Sequence, residues 1–192
     1  MLKRIYLDMD DVLLNTTPTI AKFHNLPDPY LNRDNWEKRG LHELLGLSFN
    51  DCWDIPWGVW AHIPKMPWAD ICIATAIEAV GEENVFILTS PIDGPDCAYG
   101  KQVWVERFLP SFQDRLIVTR AKYACVGPEG LLIDDAEHHE WDFEKHGLYN
   151  SFYLFPAYSN YKAQIVKEIE EEPKIIDLII KSIIDTRNKK DL

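Results

Sequence analysis

The chain has 192 residues, 46% hydrophobic and 27% charged, a balance that excludes a disordered chain and suits one α/β domain with room for a small insertion. Lys and Arg number 20 against 31 Asp and Glu, for a net charge of −11, which excludes a protein that coats nucleic acid, because polymer phosphate is bound through surplus cations. Cys52, Cys72, Cys97 and Cys125 stand far apart without a CxxC pair, which excludes a zinc ribbon and a disulfide framework.

In chain order, the first apolar run is "RIYLDMDD" (Arg4–Asp11), read as a buried strand. Residues 16–66, rich in Pro, Trp and Asn with short helical patches such as Leu41–Gly46, are too long for a crossover and too structured for a linker. They read as a small helical cap inserted after the first strand, dividing a core made of residues 1–15 and 67–192. A helix over Trp68–Val80 leads to a strand at "NVFILTS" (Asn84–Ser90). A helix over Tyr99–Phe108 leads to "RLIVTR" (Arg115–Arg120), then "GLLIDD" (Gly130–Asp135), a helix over about 136–146, and "SFYLFP" (Ser151–Pro156). Strands apolar on both faces, alternating with helices, predict an α/β fold with a doubly wound parallel sheet. The last segment, "EPKIIDLIIKSIID", carries polar residues at Lys174, Asp177, Lys181 and Asp185, a narrow wet stripe on an apolar helix. It is too short to span a membrane, so it is expected to dock on the sheet or on a partner subunit, which leaves a homodimer open. With no apolar signal core at the start, a reduced, cytoplasmic-type protein with no membrane partner is expected.

The chemistry gathers where these strands end. Asp8, Asp10 and Asp11 end the first, Thr89 and Ser90 the second, Thr119 and Arg120 the third, Asp134 and Asp135 the fourth. Open α/β sheets bind ligands outside those ends. Carboxylates enter apolar segments only with a positive partner, and acids from two strands make an oxygen site for a hard cation such as Mg²⁺. An EF-hand does not fit "DMDDV", because Val12 takes a ligand position and no Glu ends the loop. The receiver domain of phosphorelays does not fit either, since there the lysine comes last and here the acid pair Asp134–Asp135 does.

The order "DMDDV", "TSPI" (Thr89–Ile92), "YGK" (Tyr99–Lys101), "TRAK" (Thr119–Lys122), "LLIDD" (Leu131–Asp135), followed by "LFPAYSN" (Leu154–Asn160), resembles the haloacid-dehalogenase-like (HAD) phosphatases, and among them the 5′(3′)-deoxyribonucleotidases. The resemblance covers about residues 1–160 apart from the cap. It implies a Rossmann-like core, Mg²⁺, and a small-molecule nucleotide substrate with no nucleic acid polymer. Asp8 would be the nucleophile and Asp10 the general acid and base. Asp8, the Asp10 carbonyl and Asp135 would hold the metal, with Asp134 in support. Thr89, Ser90 and Lys101 would bind the phosphoryl oxygens, with Arg120 and Lys122 adding positive potential or standing as ordinary surface cations.

Three positions depart from the pattern. Asp11 replaces the usual Gly, with a structural role expected for it; Asn15 stands where the family often has Asp, and Thr16 where the animal enzymes have an aromatic. Specificity is expected from the cap, where Trp36, Trp53 and Trp57 are candidates to stack on a base, against the competing role of packing the cap. His138 and His139, adjacent on a helix start, are expected to be exposed. A phosphatase for another small phosphomonoester and a non-catalytic nucleotide-binding protein are the alternatives.

Overall fold

The computed structural model describes residues 2–190. Five strands form one parallel sheet in the order β3-β2-β1-β4-β5. Strand β1 (Arg4–Leu7) is shorter than the expected Arg4–Asp11. Strand pairing stops at Leu7 because the acid-bearing segment folds back: Leu13 and Leu14 N–H both donate to Met9 O, at 2.9 and 2.8 Å. Helix α1 (Thr16–Phe23) opens the insert, followed by 3-10 turns at Pro29–Leu31 and Arg33–Asn35 and the short helices α2 (Leu41–Leu44), α3 (Phe49–Trp53) and α4 (Trp57–Trp60).

The insert leaves and re-enters the core at one place. Leu14 bridges Lys65 in antiparallel fashion, Asn15 N–H donates to Pro64 O at 2.9 Å, and Met66 N–H to Leu13 O at 2.8 Å. It has no apolar core of its own on this side: Leu41, Cys52, Ile55, Trp60 and Ile63 belong to the same buried cluster as sheet residues Ile5, Leu7, Val85, Ile87, Leu131 and Ile133.

Helix α5 (Ala69–Val80) then leads into β2 (Val85–Thr89), and α6 (Pro95–Phe108) into β3 (Leu116–Val118). The sequence reading starts α6 at Tyr99; the helix begins four residues earlier because Gly94, at φ 100, turns the chain and Pro95 suits the first helical position. Gly100 is where α6 meets α4: a Cβ there would lie 2.4 Å from Trp60 Cβ and 2.6 Å from Trp57 O. After α7 (Tyr123–Val126) come β4 (Gly130–Asp134), α8 (Glu137–Lys145) and β5 (Phe152–Leu154). The period of two sorts each strand onto two faces. Tyr6, Leu88 and Leu132 face the opposite side from the main cluster and pack with Val126 and Phe143.

Helix α9 (Ala163–Glu171), which the sequence reading leaves unassigned, buries Ala163, Val166 and Ile169. The closing helix α10 (Ile175–Lys190) buries Ile176, Ile180 and Ile184; it packs on α5 and joins the apolar cluster of the sheet residues Ile5, Leu7 and Val85. Its wet stripe is tied to α5 by Thr75 Oγ1 donating to Asp177 at 2.8 Å and by Lys181 meeting Glu78 at 2.9 Å. Among the described residues no helix is long and apolar enough to cross a membrane.

Candidate active site at the strand ends

β1 lies in the middle of the sheet, so the chain winds away from it to β2 and β3 and crosses back to β4 and β5. The crevice outside its carboxyl end is therefore the topological switch point. Asp8 is the first residue past β1 and is pinned there, its N–H donating to Ile133 O of β4 at 3.0 Å. Asp134 ends β4 and Asp135 follows it. One carboxylate oxygen from each of Asp8, Asp134 and Asp135 falls within 4.8 Å of the others, a group that can hold a metal ion.

Two buried lysines hold these acids. Lys122 Nζ, delivered by the turn after β3, donates to Asp8 Oδ1 at 2.5 Å and to Asp134 Oδ2 at 2.6 Å. Lys101 Nζ, reaching in from α6, donates to Asp10 Oδ2 at 2.5 Å, Thr89 Oγ1 at 2.8 Å and Ser90 O at 2.9 Å. Burial alone would drive both ammonium groups toward neutrality; the adjoining carboxylates outweigh it and hold both above the usual lysine range, so both stay charged.

The carboxylates divide by environment. Burial pushes Asp8 up to about 7, although Lys122 opposes it. Asp134 is equally buried, yet Lys122, His139 and the Ala136 N–H hold it below the usual range. Asp135 is raised well above that range by burial and by the charges of Asp134, Asp11 and Asp8. A divalent cation would relieve this crowding, so the donor set fits a hard metal ion. Asp134 suits a supporting place: Oδ2 is taken by Lys122, and Oδ1 accepts from Ala136 N–H at 2.8 Å. On Asp8, no hydrogen bond among the described residues reaches Oδ2.

Asp10 is less enclosed than Asp8. Its Oδ1 accepts from Thr16 Oγ1 at 3.0 Å, while Oδ2 is held by Lys101. Asp11 explains itself locally. At φ 52 it occupies the backbone region that favours Gly, and its carboxylate caps α1, accepting from Thr16 N–H at 3.1 Å, Thr17 N–H at 3.0 Å and Thr17 Oγ1 at 2.6 Å. The expected structural role is thus the one its contacts describe.

The remaining predicted residues separate. Ser90 Oγ donates to Thr119 O at 3.3 Å at the edge of the site. Lys122 is no surface cation but is drawn between two acids, whereas Arg120 lies at the surface, ion-paired with Asp93. His138 is exposed, but the expectation of exposure fails for His139. Its ring is buried, with Nε2 3.5 Å from Ser90 Oγ and 4.0 Å from Asp134 Oδ2, because the first turn of α8 folds back over the sheet end. Burial lowers His139 to about 4, so it is a neutral imidazole.

Of the cap tryptophans, Trp36 is committed to packing: its indole N–H donates to Tyr30 O at 2.9 Å and its ring lies 5.1 Å from Tyr158. Trp57 is exposed, edge-on to Tyr99. Trp53 stacks on Trp60, and the Trp60 ring lies 5.5 Å from Lys101 Nζ. Trp53 also lines a cavity of about 240 Å³ with Phe49, Asp54 and Ile92. A second cavity, about 280 Å³, lies between α1 and α9 beside Asn15, Tyr30, Trp68, Tyr158 and Ser159.

Sequence reasoning missed four supports. Thr16 holds Asp10; Ser159 Oγ donates to Asp135 Oδ2 at 3.4 Å; Asn160 Nδ2 and Arg39 Nη2 both donate to Asp135 O at 2.9 Å. Only Ser159 and Asn160 carried a signal, standing in the strand-end segment "LFPAYSN". Compared with protein-family models and with curated proteins, the chain matches no family model and no curated protein.

Proposed function

We propose that this protein is a magnesium-dependent phosphatase of the HAD type that dephosphorylates deoxyribonucleoside monophosphates. One observation carries the reading: two carboxylates two residues apart, Asp8 and Asp10, are each held by a separate buried lysine, one beside an acid pair and one beside a Thr–Ser strand end. A binding protein needs no such second acid.

Mg²⁺ held by Asp8, the Asp10 carbonyl and Asp135 would offset the repulsion between carboxylate and phosphoryl group. Asp8 attacks phosphorus through Oδ2, forming an acyl phosphate as the bond to the nucleoside oxygen breaks. Asp10, aimed by Thr16 and Lys101, gives its proton to that oxygen. In the second half Asp10 takes a proton from water, the water oxygen attacks phosphorus, and the bond to Asp8 breaks to release phosphate. Thr89, Ser90 and Lys101 stabilise the charge that builds on the phosphoryl oxygens. Lys122 keeps Asp8 and Asp134 in place. Trp53, on the cavity beside Ile92, is the aromatic best disposed to stack on a base. The four free cysteines suit a reducing, cytoplasmic compartment.

A second reading, another small phosphomonoester, is favoured by Asp51, Asp54 and Asp93 around that cavity, which select for groups that donate hydrogen bonds. The test is phosphate release, with Mg²⁺ or EDTA, across deoxy- and ribonucleotides and sugar phosphates. Turnover of deoxynucleotides that is lost with EDTA and in Asp8→Asn is expected. Turnover of sugar phosphates alone would keep the mechanism and overturn the substrate. Silence across the panel, with Asp10→Asn binding nucleotides unchanged, would favour the non-catalytic binder.

A further inference from the structure

Arg39 belongs to the cap, yet its guanidinium is spent on the core. It sits between Glu37, at φ 63, and Gly40, at φ 85, in the bend that joins the Arg33–Asn35 turn to α2. Its Nη2 donates to the backbone carbonyl of Asp135 at 2.9 Å, and its Nη1 is 3.2 Å from His138 Nδ1. Its Nε is buried without a hydrogen bond, 3.8 Å from Glu137 Oε2. A cation placed for surface charge pairing would meet a carboxylate directly; this one makes its best bond to a neutral carbonyl.

That carbonyl is held from two sides. Asn160 Nδ2 grips it from the core at the same 2.9 Å, and Ser159 Oγ reaches the carboxylate of the same residue. Around Arg39 the cap is fastened to the same loop: Glu37 N–H donates to Tyr158 O at 2.8 Å, and Tyr30 and Trp36 pack on the Tyr158 ring. Tyr30 in turn donates its hydroxyl to Lys38 O at 2.9 Å, bracing the bend that presents Arg39.

We propose that Arg39 is a positioning residue that latches the cap to the metal side of the site: it fixes the peptide of Asp135, and so the carboxylate, for a divalent cation, and thereby links metal affinity to the ordering of the cap bend. The inference rests on Asp8, Asp134 and Asp135 being the metal site. Groups that orient a metal ligand typically change metal affinity 10- to 100-fold when removed. Linkage is reciprocal, so bound metal must also steady the cap. The planar fork matters, because it meets the carbonyl and the imidazole at once; a lysine at this position can meet only one of them.

The test is calorimetric titration of Mg²⁺ into the EDTA-stripped full chain, together with hydrogen exchange of residues 33–44 with and without Mg²⁺. In the wild type, Mg²⁺ is expected to bind and to slow exchange across this segment. In Arg39→Ala, affinity should fall about tenfold and the exchange should stop responding to Mg²⁺. Arg39→Lys should lie between, and Arg39→Gln takes the place of the alanine variant if that chain does not fold. An unchanged Mg²⁺ affinity with the cap response intact, even at lower thermal stability, would make Arg39 a packing residue only and overturn the proposal. A wild type that binds no Mg²⁺ would overturn the metal reading and the latch with it, an outcome told apart by the missing wild-type signal.

Discussion

At the scale of single residues, the site is a set of buried charges that are tolerable only together. Lys122 is the clearest case, because one ammonium satisfies two buried carboxylates. Lys122→Met leaves Asp8 and Asp134 facing each other without a cation and is expected to cost about 3–5 kcal/mol in chemical denaturation, the usual loss when one partner of a buried pair is removed. Added Mg²⁺ should recover part of it. Asp11 offers a finer test, because its backbone favours Gly while its side chain caps α1. Asp11→Gly loses the cap but relieves the backbone; Asp11→Ala loses the cap and keeps the strained φ. Denaturation midpoints should therefore rank wild type, then Gly, then Ala, with roughly 1 kcal/mol between the variants; Ala equal to Gly would remove the backbone argument. The acids and the Thr–Ser strand end were legible in the sequence because each ends an apolar run, and the two lysines only through the motif order that "YGK" and "TRAK" share with the HAD phosphatases. His139 and Arg39 were not, since nothing local shows which way a helix-start histidine turns or that a cap arginine will reach a residue 96 positions away.

At the scale of elements, strands and the longer helices were read from periodicity, and the errors lie at their ends. The strand at Arg4 stops at Leu7 because the following turn consumes the backbone groups that would have continued it. Helix α9 is missing from the sequence reading although its apolar positions Ala163, Val166 and Ile169 recur at three-residue spacing among charged ones. The packing of α4 on α6 was invisible in sequence, as it depends on a glycine doing the work of close approach. Gly100→Ala would drive a methyl into Trp60 and the Trp57 carbonyl. It is expected to destabilise by about 1–3 kcal/mol and to raise KM more than it lowers kcat, since it shifts the cap against α6. A variant with wild-type melting and kinetics would show that the two helices part without penalty.

At the scale of the whole molecule, fold class and sheet winding were legible, whereas the sharing of one apolar cluster between cap and core was not, because it depends on which faces meet. The buried acids also set how stability responds to pH. Asp8 at about 7 and Asp11 at about 6 lie above their unfolded value of 3.8, so between about pH 4 and 7 the unfolded chain ionises first and stability falls as pH rises. His139, lowered to about 4, and His138, also lowered by partial desolvation, work the other way up to about pH 6.5, and Asp134, held low, is already ionised there. With Asp135 also raised, the three carboxylates outweigh the two histidines. In EDTA, melting temperature should therefore decline from pH 5 to 7.5, Asp8→Asn should flatten the decline, and Mg²⁺ should reduce it; a wild-type profile rising over that range would contradict the balance. The meeting of the insert's two ends at Leu14 and Lys65 has a further consequence. A segment that returns to its point of departure is a detour rather than a link, and the strands before and after it keep their register whatever its length. Doubling it would cost only about 0.6 kcal/mol in loop closure. The sheet can thus pass unaltered through lineages that exchange what lies between those residues, on condition that each replacement supplies an apolar plug where Ile55, Trp60 and Ile63 now sit.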